Sequence, residues 1–137
     1  MSKYRVIQAE FKSEPALRQA LEDACGEFNI RYEYHAEGAS LYGFQGDLRP
    51  ERAELIIRRQ YVGNMANDLG FARQADGSYA AIISEFDSTS RGQKKLDYIT
   101  QRYAYHAFVN EAEMQGFSVY EQWLPDGSVE LSLERAY

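Results

Sequence analysis

One cysteine, three prolines and two histidines in 137 residues are few, and each scarcity removes a class of protein. Cys25 alone can form neither an internal disulfide nor a multi-thiolate metal centre, and its place in an amphipathic segment predicts a buried thiol in a reducing compartment. So little proline argues against a long disordered segment. His35 and His106 stand in no HExxH or paired-cysteine spacing, so no motif supports a metal site and no cofactor is expected. Glycines occur singly, without the GxGxxG or GxxxxGK loops that cradle phosphates, and no serine sits in GxSxG. No apolar run approaches the roughly 18 residues of a membrane span, and the start MSKYRVIQAEF lacks the charged and apolar regions of a secretory signal. The expected location is the cytoplasm, or the plastid stroma if plastid-encoded, with no membrane contact.

What is present is the composition of a soluble globular protein, 45% apolar and 26% charged, at a length that suits one domain over residues 1–137. The net charge of −6 works against non-specific attraction to nucleic acid or anionic lipid.

Periodicity outlines the elements. Tyr4 to Phe11 reads as a strand, and Ser13 caps a helix that carries Pro15 in its first turn and Leu17, Ala20, Leu21, Ala24 and Phe28 on one face. Ile30 to His35, Leu41 to Phe44 and Arg52 to Val62 read as strands, with a loop at Asp47 to Pro50. Leu69 to Phe86 forms a hairpin around Ala75-Asp76-Gly77-Ser78, where Asp-Gly supplies the positive φ of a tight turn. Asp87 to Gly92 reads as an exposed loop. A second hairpin, Phe117 to Trp123 and Ser128 to Leu133, turns at Pro125-Asp126-Gly127-Ser128 and should point Val129, Leu131 and Leu133 inward. This order gives an α+β domain, an antiparallel sheet with two main helices on one face, and a ferredoxin-like variant as its topology.

The richest segment is the helix from Gln93 to Gln115, stopped by Gly116. At 3.6 residues per turn Leu96, Ile99, Tyr103, Ala107 and Met114 share one face, while Tyr98, Tyr105, Val109 and Ala112 lie roughly opposite. A surface helix normally buries one stripe, so the second needs another layer, a partner or a pocket. Gln101, Arg102, Tyr105 and His106 flank that second stripe. An Arg, a His and a Tyr side by side can bind an anion or move a proton near neutral pH. Tyrosines on a helix also insert rings into a core and leave their hydroxyls at its edge, with Arg102 paired to an acid, and this packing reading is the stronger. Elsewhere Arg58, Arg59 and Tyr61 make a basic-aromatic patch that Arg49, Arg52 and Lys94-Lys95 could extend, though Glu51 and Glu54 nearby favour a solvated strand face. Glu85 and Asp87 flank Phe86 and make no credible acid/base pair without the fold.

Several of these segments together resemble the DUF1257 family, which includes the Ycf35 proteins of cyanobacteria and algal plastids. They are the start MSKYRVIQAEF, Leu69-Gly70-Phe71 with Asp76-Gly77-Ser78-Tyr79, the run Leu96 to His106, Gln115-Gly116-Phe117 and Asp126-Gly127-Ser128-Val129. The likeness extends over nearly the whole chain and is most specific at Gln101-Arg102-Tyr103-Ala104-Tyr105-His106. It implies a small stand-alone protein with no established catalytic residue, an assembly or adaptor role, and association with an AAA-type ATPase as a partner. Lys3 stands where the family start carries His, and Leu48 to Asn67 matches least.

Two functions follow as expectations. The first is a non-enzymatic protein-binding or adaptor module that engages a partner or its own copy through the second face of helix 93–115 or a sheet edge; 11 tyrosines suit such an interface. The alternative is a small ligand-binding protein or enzyme with its site near Arg102, Tyr105 and His106. The candidate binding residues are therefore Tyr98, Gln101, Arg102, Tyr105, His106 and Val109. Burial of the second stripe or a pocket beside it separates the two.

Overall fold

The computed structural model describes residues 3–135, without the side chains of residues 7–10. Met1, Ser2, Ala136 and Tyr137, the ends of the expected 1–137 domain, lie outside the described residues. The elements run β1 (Tyr4–Phe11), α1 (Glu14–Phe28), β2 (Glu33–Tyr42), β3 (Leu48–Ile57), α2 (Arg59–Val62), β4 (Leu69–Arg73), β5 (Tyr79–Ser84), α3 (Arg91–Met114), β6 (Phe117–Trp123) and β7 (Val129–Arg135). A 3-10 turn at Asp87–Thr89 leads into α3. The class is α+β, as the element order predicts.

Local chemistry sets the boundaries of α1. The Ser13 hydroxyl accepts the Ala16 N–H at 3.2 Å, Pro15 fits the first turn, and Asn29 ends the helix at φ 54°, its N–H bonded to the Cys25 carbonyl. Ala16, Leu17, Ala20, Leu21 and Ala24 are buried on one stripe.

β1 to β5 form one antiparallel sheet in the order β1-β5-β4-β3-β2. In a ferredoxin-like sheet a single strand separates the two strands that the first helix joins. Here every neighbouring pair is antiparallel, β1 and β2 occupy opposite edges, and α1 carries the chain between them. α1 and α3 cover one sheet face, where Leu55, Ile57, Leu69, Phe71 and Ile83 meet Leu17, Leu21, Leu96 and Ile99. Each such side chain, fully buried, stabilises the fold by roughly 1.5–3 kcal/mol. Leu41, Ala53, Ile56 and Ile82 form a smaller cluster separate from this core. Gly70 belongs beside that cluster because a Cβ there would lie 2.8 Å from the Ala53 Cβ.

Three expected boundaries move. Ile30–His35 and Leu41–Phe44 are not two strands but the parts of one, β2, since Gly38 (φ 78°) sits within a bulge instead of ending the strand. Between the pairs Tyr34↔Leu55 and Ala39↔Ala53 the bulged strand advances five residues against two. The strand expected over Arg52–Val62 is β3, Leu48–Ile57, and Arg59–Val62 turns into a short helix. Pro50 is tolerated inside β3 because it falls at the second register shift, opposite Ser40 to Tyr42.

Both Asp-Gly-Ser turns are built alike. Asp76 Oδ1 accepts the Ser78 N–H and hydroxyl, Asp126 Oδ1 does the same for Ser128, and only the glycines, Gly77 and Gly127, carry positive φ. The hairpin β6–β7 is a separate two-stranded sheet whose extensive contact with the rest of the chain, among the described residues, is through α3.

Candidate functional site

α1 and α3 pack side by side, and the predicted cluster on α3 meets an acid from α1. Asp23 Oδ2 accepts Arg102 Nε at 2.8 Å and contacts His106 Nε2 at 2.7 Å. The Arg102 guanidinium lies 4.4 Å from the centre of the Tyr105 ring, which meets His106 edge-on at 5.0 Å. Partial burial works to raise the Asp23 carboxyl, but the hydrogen bonds from Arg102 and His106 outweigh it and hold the group below its ordinary 3.8. Further along, Gln19 accepts the Asn110 amide at 2.8 Å, and the Tyr103 hydroxyl accepts the N–H groups of Lys12 and Ser13. These contacts pin one helix to the other. The cluster is a clamp in which Arg102 and His106 of one helix share the Asp23 carboxylate of the other.

The six candidate residues therefore separate. Arg102, Tyr105 and His106 come together with Asp23, while Tyr98 goes to the core edge, its ring 5.2 Å from Phe28 and its hydroxyl pushed up by burial. Gln101 is exposed and Val109 half-buried. On the stripe expected to be covered, Leu96, Ile99 and Tyr103 are buried, but Met114 is 83% exposed.

The basic-aromatic patch also divides. Arg58 turns inward, giving Nη1 to Asp68 Oδ2 at 2.8 Å and to the Ser40 carbonyl, and Nε to Glu33 at 3.0 Å. Arg52 goes to the Gly38 carbonyl and Arg49 stacks on Tyr4. Asp68 is buried; its Oδ2 also accepts the Tyr42 N–H and its Oδ1 the Arg59 N–H, both at 2.7 Å. Beside it Asn67 bonds Ser84 and Asp87, all three buried. This polar seam escaped the sequence because Asn67-Asp68 and Asp87 read as loop residues. The available signal was an acid set directly before the apolar run Leu69-Gly70-Phe71.

Arg59 instead lines an open cleft of about 580 Å³ between the end of α1, α2 and the start of α3, its guanidinium bonded to the Phe44 carbonyl. Arg91, Lys95, Phe28, Tyr61 and Asn64 also line it. A second groove, about 420 Å³, lies between Ala107, Phe108 and Ala112 of α3 and Phe117 and Leu133 of the hairpin. Register puts Phe117, Val119 and Trp123 on one hairpin face with Val129, Leu131 and Leu133. The alternation matches expectation, but the burial does not, with Trp123 67% and Leu133 44% exposed. Contact with α3 is made at the Phe117 and Leu133 end of the hairpin, so among the described residues the Trp123 and Val129 end of its apolar face is left without a second layer.

The model of DUF1257, described as a protein of unknown function, matches residues 24–132, most of the chain. The chain belongs to DUF1257. No curated protein and no solved structure matches it. The DUF1257 match opens within α1 and closes within β7, so it takes in the three cations of the cleft, Arg102 and His106 of the clamp, and Trp123 of the hairpin. Among the described residues, no group of three or more His, Cys, Asp or Glu could hold a metal ion, and no helix is long and apolar enough to cross a membrane.

Proposed function

We propose that this DUF1257 protein is a non-enzymatic protein-binding module that engages its partner through the apolar face of β6–β7 and the adjoining end of α3. The observation that carries this reading is the amphipathic hairpin that leaves Trp123, Val129 and Leu133 exposed on one face. A two-stranded hairpin is marginal in water unless its apolar face is covered, and contiguous exposed apolar surface marks interaction sites. Phe108 and Met114 extend the patch along α3. The surface thus differs from the second helix stripe first expected, since Tyr98 is packed on Phe28 and Tyr105 lies under Arg102.

The test compares wild type with a Trp123→Ser, Val129→Ser double variant, its fold checked by circular dichroism. Capture from native lysate at physiological salt, followed by mass spectrometry, reads hetero-partners, and light scattering on purified protein reads self-association. A partner or oligomer lost by the folded variant supports the reading. An AAA-type ATPase among the lost proteins would agree with the likeness to Ycf35 proteins. Monomeric protein with no partner, or identical capture by both forms, would overturn it.

A further inference from the structure

The start of α3 breaks a local rule. The N-terminal end of a helix carries partial positive charge, so its first turns favour acids and disfavour cations. α3 has no acid in its first turn, its N-cap Ser90 makes no side-chain cap bond, and its first five residues include Arg91, Lys94 and Lys95. Arg91 and Lys95 meet Arg59 in the lining of the 580 Å³ cleft, which contains no acidic side chain. None of the three is in an ion pair among the described residues: the Arg59 guanidinium bonds the Phe44 carbonyl, and the Lys95 ammonium stands 5.0 Å over the Phe28 ring. This happens in a chain with 21 acids and 15 Lys or Arg. Burial, then Arg91 and Lys94, pull the Lys95 ammonium below its ordinary range, the response of a cation held among like charges. Sequences depart from local preference mainly at functional sites, and an anion in this cleft would relieve both the mutual repulsion and the unfavourable helix end.

We infer that the cleft formed by Arg59, Arg91 and Lys95 with Phe28 and Tyr61 binds a small phosphorylated compound that carries a flat ring. Two guanidiniums and an ammonium match the charge and oxygen geometry of phosphate groups. The two aromatic side chains offer a wall on which a ring can stack. The volume falls within the roughly 300–1,000 Å³ of small-molecule sites, which favours a compact ligand over a nucleic-acid strand. The site is distinct from the partner surface at the other end of α3 and does not depend on it.

Isothermal titration of the full-length protein at low ionic strength with adenosine diphosphate, inorganic pyrophosphate and adenosine tests this. The expected order is adenosine diphosphate tighter than pyrophosphate, with adenosine undetectable and both affinities falling as salt rises. Lys95→Gln and Arg91→Gln, each confirmed as folded by its unchanged thermal midpoint, should each weaken adenosine diphosphate by about tenfold or more, because each removes a charge-assisted contact. Pyrophosphate binding as tightly as adenosine diphosphate would overturn the ring contact. Adenosine binding as tightly as adenosine diphosphate, or no saturable binding of either anion by wild type, would overturn the site.

Discussion

Replacing Asp68 by Asn separates burial from proximity in a single experiment. Two carboxylates touch the Arg58 guanidinium at nearly the same distance, Asp68 at 2.8 Å and Glu33 at 3.0 Å, yet the Asp68 side chain is 1% exposed and the Glu33 side chain 44%. Asp68 receives three donors over its two oxygens: the Tyr42 N–H and Arg58 Nη1 on Oδ2, and the Arg59 N–H on Oδ1. An amide has one acceptor oxygen, so Asp68→Asn must aim an NH2 group at a donor and leave the guanidinium without its buried counter-charge. Breaking a buried pair in this way costs about 3–5 kcal/mol. Glu33→Gln removes a solvated partner and should cost about 0–1 kcal/mol. Urea unfolding followed by circular dichroism reads the difference. With a slope of about 1–3 kcal/mol per molar, the midpoint should fall by roughly 1 M or more for Asp68→Asn and by a few tenths for Glu33→Gln. Equal midpoints for the two variants would show that Asp68 is not the keystone between β2, α2 and β4.

Two further expectations concern packing and pH. Gly70→Ala should lower stability by about 1–3 kcal/mol, because the new methyl meets the Ala53 Cβ at 2.8 Å and Leu41 at 3.1 Å; a thermal melt unchanged from wild type would refute the close approach. Asp23→Asn should cost about 1 kcal/mol at neutral pH, since the clamp is partly solvated. The folded Asp23 carboxyl titrates below its ordinary 3.8, so its contribution is complete above that value and is lost as pH falls from there through the lower folded value. Stability curves of wild type and variant measured by denaturation against pH should therefore run apart at neutral pH and converge in acid. Curves that stay parallel into acid would sink the assignment.

What the sequence reveals here is what lies close along the chain. The Ser13 cap, the apolar stripe of α1, the two Asp-Gly-Ser turns and the length of α3 are set by neighbours within a few residues, and all are legible. Strand order is not, because it depends on which edge β1 joins, a contact between residues such as Tyr4 and Ser84. Gly38 looks like a boundary and is a bulge, since a single positive-φ residue can end a strand or kink it. The polar seam joins Asn67 and Asp68 to residues 17–26 positions away, and the cleft unites Arg59 with Arg91 and Lys95. Arg58 and Arg59 are adjacent in sequence and opposite in fate, one facing a buried acid and the other the cleft. Pattern alone could not divide them, because the strand ends between Ile57 and Arg59 and alternation stops there. The clamp was half visible: Arg102, Tyr105 and His106 stand out on one helix, while Asp23 sits unremarked on another.

At 1.5 Å per residue the 24 residues of α3 make a rod about 36 Å long. Asp23 grips it at Arg102 and His106, near its midpoint, and its far end carries the hairpin with little other attachment. The start and middle of the rod are fixed as well, by Leu96, Ile99 and Tyr103 in the core and by Asn110 on Gln19, whereas Met114 at its end is exposed. The hairpin therefore hangs from the one end of the rod that the core does not hold.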